Sequence, residues 1–181
     1  MRDLTQARRG PPLTASRLVQ SLPPATRYIL RGGAAVRAAA EQALGLKVPA
    51  SACRATLEGE RAALWLGPDE WLLIAPVEGA PTLAAALRET LQSLPHSLVD
   101  ISHRQIALAV SGSAAATVLA AGCPLDLDEH AFPVNMCTRT VLARAEIVLW
   151  RTGTQVFRIE VWRSFAGYVS AFLAEATLGI C

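Results

Sequence analysis

Lysine is almost absent from this chain. Lys47 is the only one among 17 basic residues, so arginine carries nearly all of the positive charge. The net charge is +2, the arginines are dispersed, and aromatic residues, 6% of the chain, do not alternate with them. A nucleic-acid-binding surface concentrates basic residues and adds aromatic side chains that stack on bases. The composition therefore argues against a nucleic-acid partner.

Closely spaced cysteine pairs are also missing. Zinc knuckles and redox-active dithiols need such pairs, and here Cys53, Cys123, Cys137 and Cys181 are far apart. We therefore expect free, mostly buried thiols. No secretory signal is recognisable at the start of the sequence, which predicts a cytoplasmic, reducing location.

Long uninterrupted apolar runs are missing as well. The longest, residues 106–125, is broken by serine, threonine and glycine, whereas a membrane helix needs about 20 apolar residues. A strand followed by an alanine-rich helix explains this run, and no membrane partner is expected. The chain is nevertheless 52% hydrophobic and only 18% charged, which predicts a full core and apolar surface left for a partner.

A strand, a helix, a hairpin and a second helix are predicted in the first half of the fold, residues 26–97. The first strand is expected at 26–31, and the hairpin strands at 61–66 and 70–75. The helices are recognised by apolar residues three to four positions apart. These residues are Val36, Ala39, Ala40, Ala43 and Leu44 in the first helix, and Leu83, Leu87, Leu91 and Leu94 in the second.

The same pattern is predicted again in residues 98–181. Strands are expected at 105–110, 137–143, 146–151 and 155–162, with a short helix after the first of them. In the last strand Phe157, Ile159 and Val161 alternate with Arg158, Glu160 and Trp162, the period of a half-buried strand. Ser164 is predicted to cap the final helix. The predicted buried face of that helix comprises Phe165, Tyr168, Val169, Phe172, Leu173 and Ala176.

The two halves align with each other: residues 29–35 match 109–115, and 64–67 match 149–151 with their following strands. Neither half alone can cover both faces of its sheet. We therefore predict an α+β fold of two similar strand–helix–hairpin–helix halves, packed as a pseudo-two-fold pair in one compact unit. Residues 1–25, rich in proline, are expected to form an extended arm on the surface or on a partner; a disordered terminus explains them equally well.

Several separated motifs resemble one family. They are Gly67-Pro68-Asp69-Glu70-Trp71-Leu72-Leu73, Asp100-Ile101-Ser102-His103-Arg104, Gly122-Cys123-Pro124-Leu125-Asp126-Leu127, Thr138-Arg139-Thr140 with 145–151, and Arg163-Ser164-Phe165-Ala166-Gly167-Tyr168. In this order they resemble the gamma subunit of heterotetrameric sarcosine oxidase, over roughly residues 25–178. That family is similar to the folate-binding domain of the glycine-cleavage aminomethyltransferase.

The resemblance implies a non-catalytic subunit with a structural role in assembly, bound to alpha, beta and delta subunits. The implied complex oxidises sarcosine to glycine with hydrogen peroxide and either formaldehyde or 5,10-methylenetetrahydrofolate. It also implies that FAD, FMN, NAD and folate belong to the larger subunits and zinc to the smallest. This chain is expected to hold no cofactor or metal and to contribute no catalytic residue.

Asp100, Ser102 and His103 suggest a catalytic triad, but side chains so close on an extended segment diverge, and a triad needs hydrogen bonds in series. A structural turn is the better interpretation, with Asp100 or Ser102 accepting backbone N–H bonds. Transferase relatives have a similar segment, so it is typical of the fold. Their folate-directed aspartate, by contrast, corresponds here to Leu149 or Trp150, and neither can exchange a proton.

Three weaker features have plain structural interpretations. Cys137 matches a cysteine motif of a folate-dependent relative but lacks the residues that should follow it, so a buried thiol is expected. Gly32-Gly33 lacks the spacing of a nucleotide-binding loop and is interpreted as a helix-entry turn. The acidic stretch around Asp126, Asp128, Glu129 and His130 is expected to be a solvated turn, with a metal site as the alternative.

Tryptophan and arginine are enriched at the centres of protein interfaces. We therefore expect an interface with a larger subunit that includes Arg104, Trp150, Trp162, Arg163 and Phe165. Two other functions stay open at this point. One is a stand-alone folate-binding protein similar to the aminomethyltransferase, which the missing carboxylate argues against; the other is a binding module with unrelated partners.

Overall fold

The computed structural model describes residues 18–179, which form two five-stranded antiparallel sheets and four α-helices. The strands are β1 (Val19–Ser21), β2 (Thr26–Gly32), β3 (Ala55–Glu58), β4 (Arg61–Gly67), β5 (Glu70–Ala75), β6 (His96–Asp100), β7 (Gln105–Ser111), β8 (Cys137–Leu142), β9 (Ala145–Gly153) and β10 (Val156–Trp162). The helices are α1 (Ala34–Leu44), α2 (Ala80–Leu91), α3 (Ala115–Ala120) and α4 (Ala166–Leu178).

The two sheets have matching strand orders. The first runs β3-β4-β5-β2-β6, and the second runs β8-β9-β10-β7-β1. In each sheet, the strand before the first helix lies between the second hairpin strand and an edge strand. The predicted α+β class is confirmed, and both hairpins and all four helices form close to their predicted positions.

Three strands were not predicted: β1, β3 and β6. β1 lies in the predicted arm and pairs with β7, with Val19 opposite Val110; residues 1–17 of that arm lie outside the described part of the chain. β6 pairs with β2 and so belongs to the first sheet, although it crosses the predicted boundary between residues 97 and 98. All three are edge strands of three to five residues, too short for a periodic pattern to distinguish them from loops.

Helices cover the outer face of each sheet. α1 and α2 pack on the first sheet through the predicted residues, with Val36, Ala40 and Leu44 buried in α1. α1 ends at Gly45, whose left-handed backbone (φ 69°) lets its N–H donate to the Glu41 carbonyl. α3 and α4 cover the second sheet around Leu119, Phe157 and Leu173.

The beginning of α4 differs from the prediction. Residues Arg163–Phe165 form one 3₁₀ turn, α4 starts at Ala166, and no side chain caps it, so the predicted Ser164 cap is wrong. The buried face of α4 also differs from the predicted one. The buried residues of α4 are Val169, Ser170, Leu173 and Thr177, whereas Phe165 and Tyr168 of the predicted buried face are exposed.

A third apolar cluster lies between the two sheets and completes a helix–sheet–sheet–helix arrangement. Leu64, Leu72 and Ile74 of the first sheet pack against Cys137, Val148 and Trp150 of the second. Burial of apolar surface contributes about 25 cal/mol per Å², so this cluster holds the sheets together. None of the helices in residues 18–179 is both long and apolar enough to cross a membrane.

Candidate binding site at one end of the sheet interface

The interface between the sheets has two chemically different ends. We call the residues Ala62, Leu64, Ile74, Cys137 and Trp150 the apolar end. The polar end comprises Arg104, Gln105, Arg139, Glu146, Glu160 and Trp162, which line one cavity of about 260 Å³. Strand pairing builds both ends: Cys137 lies opposite Trp150, while two residues further along β8 Arg139 lies opposite Val148.

The polar end occupies a face that the sequence pattern of β10 assigns to the unburied side of the strand. Glu160 is paired with Val148 on one neighbouring strand and with Ala107 on the other. Directly paired residues project to the same face of a sheet, so these three side chains share one face. Trp162 aligns with Gln105 in the same way. The predicted alternation of β10 is observed, but the face predicted to be exposed packs against the first sheet, and Glu160 is only 1% exposed.

Glu160 is the centre of a buried ionic network that connects the sheets. Its Oε2 accepts a 2.6 Å hydrogen bond from Arg27 Nε of β2, and its Oε1 accepts bonds of 2.7 and 2.8 Å from Arg158. Arg27 Nη1 also donates to the Ala25 carbonyl at 2.9 Å. Two guanidinium groups therefore compensate one carboxylate, and this network specifies how the sheets face each other.

The Asp100–His103 segment is a structural turn, as predicted. Asp100 Oδ1 accepts hydrogen bonds from the Ser102 backbone N–H at 2.8 Å and from Ser102 Oγ at 2.6 Å. Ser102 Oγ in turn accepts from the Arg27 N–H at 2.9 Å. The His103 carbonyl accepts from Arg163 Nε at 2.9 Å. The turn fixes the position of Arg104 at the mouth of the cavity.

Inside the polar end, some polar groups are paired and others are not. Arg139 forms an ion pair with Glu70 of the first sheet, and Glu160 is paired as described. Gln105 is 7% exposed, and its Oε1 has no hydrogen-bond partner among residues 18–179. Within the same residues, Glu146 and Arg104 have no ion-pair partner. Both of these charged residues are exposed, whereas Gln105 combines burial with an unpaired polar atom.

A group of aromatic and basic side chains includes two residues of the cavity lining, Arg104 and Trp162, and three that follow Trp162 along the chain. We call Arg104, Trp162, Arg163, Phe165 and Tyr168 the aromatic–arginine patch. Trp162, Phe165 and Tyr168 are 41%, 43% and 42% exposed. The Arg104 guanidinium lies 4.7 Å from the centroid of the Trp162 ring, a cation–π distance, and the Arg163 N–H donates to the Arg104 carbonyl at 2.8 Å.

The patch contains four of the five residues that the sequence suggested for an interface. The fifth, Trp150, is 2% exposed in the apolar end, and its Nε1 has no hydrogen-bond partner within the described chain. Trp150 is therefore a core residue and cannot present its side chain to a partner. Tyr168 was missed because the sequence pattern placed it on the buried face of the last helix, whereas it is 42% exposed.

Cys137 has the inert environment expected of a buried thiol. Its Sγ donates to the Trp65 carbonyl at 3.5 Å, and burial raises the pKa of the thiol to about 12. A thiol with a raised pKa stays protonated at neutral pH and is therefore a poor nucleophile. Cys53 and Cys123 are free as well, while Cys181 lies outside the described residues.

The acidic stretch after α3 also has its predicted structure. Asp126 Oδ1 accepts the Asp128 N–H and Asp128 Oδ1 accepts the His130 N–H, both at 2.9 Å, so the carboxylates close turns. In residues 18–179 no three acidic, cysteine or histidine side chains are gathered as metal ligands. A Cβ on Gly32 would lie 2.6 Å from Val36 Cγ2, which fits the predicted helix-entry turn.

The residues at the expected folate position do not fit that cofactor. Neither Leu149 nor Trp150 has a carboxylate. Leu149 is buried in the core beneath the helices of the second sheet, and Trp150 is buried between the two sheets. Glu146, on the same face of β9 as Trp150, does line the cavity. The cavity volume of about 260 Å³ is below the roughly 300–1,000 Å³ typical of pockets for drug-sized ligands.

Solved structures share this fold. A chain of heterotetrameric sarcosine oxidase from Corynebacterium sp. U-96, in complex with pyrrole 2-carboxylate, superposes with a TM-score of 0.82 at 35% identity, covering 87% of this chain and 82% of that one. The glycine-cleavage aminomethyltransferase T from Bartonella henselae gives a TM-score of 0.62 at 17% identity, over 86% of this chain and 44% of that one. The second likeness concerns the fold alone.

Sequence relatives and a family model agree with the first of these structures. The sarcosine oxidase subunit gamma of Corynebacterium sp. (strain P-1) is 42% identical over 141 residues, 77% of this chain and 68% of the relative. The corresponding Arthrobacter protein is 44% identical over 124 residues, 68% of this chain and 60% of that protein. The model described as "Sarcosine oxidase, gamma subunit family" matches residues 31–178, and the chain therefore belongs to this family.

Proposed function

We propose that this chain is the non-catalytic gamma subunit of a heterotetrameric sarcosine oxidase and that it binds larger subunits through the aromatic–arginine patch. The observation that carries the proposal is the exposure of Trp162, Phe165 and Tyr168 beside two arginines. Neither Arg104 nor Arg163 has an acidic partner within residues 18–179. Exposed aromatic residues with arginine are the typical composition of interface centres.

The proposed complex contains alpha, beta and delta subunits beside this chain and is cytoplasmic. It demethylates sarcosine oxidatively to glycine, with hydrogen peroxide and formaldehyde or 5,10-methylenetetrahydrofolate as further products. FAD, FMN, NAD and folate are assigned to the larger subunits and zinc to the smallest, and none to this chain. The poor fit of Leu149 and Trp150 to a folate-directed role supports this assignment.

The proposal includes a division of the chain. Residues 1–25 are an arm, 26–97 the first half and 98–181 the second, and the halves are related by a pseudo-two-fold axis between the sheets. The matching strand orders support that symmetry. Two edge strands do not follow this division: β1 of the second sheet comes from the arm, and β6 of the first sheet crosses the boundary between the halves.

Co-expression of the full chain with the other three subunits tests the proposal. The Phe165→Glu variant places a negative charge in the patch and should reduce the recovery of the flavin-containing complex on a tag carried by this chain at least about tenfold. Leu57→Glu is the matched control, because Leu57 is also an exposed apolar residue, at 53% against 43% for Phe165, but lies on β3 of the first sheet. Equal recovery with both variants would contradict the proposed interface.

A stand-alone folate-binding protein is the second candidate, favoured by the presence of the Glu146 carboxylate at the cavity. Titration of the isolated chain with tetrahydrofolate, monitored by tryptophan fluorescence, separates the two functions. We expect no saturable change. A saturable signal that Glu146→Gln abolishes would favour the folate-binding protein instead.

A further inference from the structure

We infer that Cys53 and Cys137 form a reversible disulfide that ties the two sheets together at the apolar end of their interface. Both thiols are free in the structure, which is therefore the reduced state of the pair. The inference goes beyond the proposed role in assembly and does not depend on it. Because both cysteines belong to this chain, the full chain can be tested without any partner.

The first argument is the register that places the two cysteines opposite each other. Arg54, just before β3, forms an antiparallel bridge with Met136, just before β8. In an antiparallel pair a step back along one strand matches a step forward along the other, so the next position pairs Cys53 with Cys137. The Cys137 N–H shows this pairing by donating to the Cys53 carbonyl at 3.0 Å.

That hydrogen bond also limits the distance between the two backbones. The N–H nitrogen lies about 1.5 Å and the carbonyl oxygen about 2.4 Å from its own Cα, so an N···O distance of 3.0 Å keeps the two Cα atoms within about 7 Å of each other. Opposite residues at hydrogen-bonded positions of an antiparallel pair are about 5.5 Å apart. Cα atoms joined by a disulfide are about 4.4–6.8 Å apart, so this backbone separation suits the bond.

The second argument concerns the two side chains. Cys137 is fully buried between the sheets, whereas Cys53 is partly exposed. Burial, and after it the negative charge of a Cys53 thiolate, raises the pKa of the Cys137 thiol to about 12. A like charge acts on a pKa in this way only over a short distance. The two thiols therefore lie close together and differ in their access to solvent.

The third argument is the backbone of Cys53. Its φ of 56° lies in the left-handed region, where residues with a Cβ are strained and glycine is the usual choice. Strained residues of this kind cluster at functional sites. The chain carries a thiol at a position where glycine would avoid the strain, which supports a role for that thiol.

The oxidant is hydrogen peroxide. The Cys53 thiolate attacks one peroxide oxygen, the O–O bond breaks, and the leaving hydroxide takes up the proton that Cys53 lost, so that Cys53 becomes a sulfenic acid. The Cys137 sulfur then attacks the sulfenic sulfur: the S–S bond forms, the S–O bond breaks, and the hydroxide leaves as water with the Cys137 proton. Two thiols and one peroxide thus give one disulfide and two waters. The raised pKa makes Cys137 a poor nucleophile, but the second step is intramolecular, and proximity offsets this disadvantage.

The test is oxidation of the full chain, purified in reduced form, with hydrogen peroxide. After the remaining thiols are blocked with N-ethylmaleimide, proteolysis and mass spectrometry should find the peptides of Cys53 and Cys137 joined, and dithiothreitol should separate them. A disulfide between residues so far apart in sequence restricts the unfolded chain. The melting temperature of the oxidised protein should therefore rise by at least about 5 °C.

Variants make the test specific to this pair. Cys53→Ser should form no cross-link with peroxide, and in reduced form it should melt within about 2 °C of the parent protein. Cys123→Ala is the control, because Cys123 is a buried free thiol beside Thr140, and it should cross-link like the parent.

Four results would each overturn the inference. They are full recovery of free thiols after peroxide treatment, oxidation of Cys53 to a sulfinic acid without a cross-link, a cross-link through Cys123 or Cys181 instead, and a Cys53–Cys137 cross-link that leaves the melting temperature unchanged. Each of them would leave the proposed assembly intact, because no partner subunit takes part in the experiment.

Discussion

The apolar and polar ends of the sheet interface share strands β8 and β9 and differ in almost every property. Trp150 and Glu146 are four residues apart on one face of β9, yet the first is packed among apolar residues and the second lines a cavity. One end excludes water and fixes the sheets, while the other keeps charges unpaired beside an exposed aromatic surface. The difference indicates that the first end contributes to stability, and it supports the proposal that the second end binds a partner.

The largest expected effect is the loss of packing at the apolar end. Trp150→Ala should lower the free energy of unfolding by about 3–5 kcal/mol, as truncation of a large aromatic core residue does. Trp162→Ala, on the neighbouring strand but largely exposed, should cost less than about 1 kcal/mol. Urea unfolding of both variants measures the contrast, and similar losses would remove the distinction between the ends.

The next effect concerns the ionic network that connects the two sheets at Glu160. Glu160→Gln leaves the buried Arg27 and the partly exposed Arg158 without a compensating carboxylate, so the free energy of unfolding should fall by about 3 kcal/mol. Glu146→Gln, which breaks no ion pair within residues 18–179, should change it by no more than about 0.5 kcal/mol. Chemical denaturation of the two variants side by side measures this difference. An unchanged free energy of unfolding in Glu160→Gln would show that the network is dispensable.

A smaller effect of opposite sign is expected inside the cavity. Gln105→Leu removes a buried oxygen that has no hydrogen-bond partner in the described chain and replaces it with an apolar group of similar size. The protein should keep its stability or gain up to about 1 kcal/mol. A thermal melt measures this change, and a loss of more than about 1 kcal/mol would mean that Gln105 is structural.

The last effect, which is absent at neutral pH, is a pH dependence from Cys137. Burial raises the pKa of its thiol from 9.0 to about 12, so the unfolded chain loses this proton first. The thiol therefore has no effect on stability below about pH 9, and stability declines as pH rises from there towards 12. Burial and the Asp100 carboxylate also raise the pKa of Tyr28, which adds a decline in the same direction.

Comparison with Cys137→Ala isolates the contribution of the thiol. The variant should show a shallower decline of the unfolding free energy between pH 8 and pH 10.5, values chosen to bracket the thiol's ordinary pKa of 9.0. Parallel profiles for the two proteins would indicate that Cys137 ionises at its ordinary pKa in the folded chain.

Long periodic segments were predictable from the sequence, and short edge strands were not. The leucine positions of α2 and the alternation in β10 are strong local signals. β1 and β6, by contrast, exist because β7 and β2 offer them hydrogen bonds, and no local pattern encodes such a partner. The Ser164 cap failed because the chain tightens into a 3₁₀ turn before α4.

The residue types of the candidate site could be predicted from the sequence, but their positions in the fold could not. Arg104, Trp162, Arg163 and Phe165 could be chosen because arginine and aromatic residues favour interfaces, whereas Trp150 matched the same rule and lies in the core. Residue type does not distinguish these two situations, since only strand register decides what a tryptophan packs against. Gln105 carried no signal in the sequence, because its importance comes from an unpaired oxygen in the fold.

Hydrogen–deuterium exchange tests the central claim most directly, that the polar end and its patch are the binding surface. The isolated chain would be compared with the chain assembled with its partner subunits. Our account predicts slower exchange in the assembly for amides in segments 103–105 and 162–168, with no change at 62–64 and 148–150. Protection confined to other segments, with 162–168 exchanging equally fast in both samples, would contradict it.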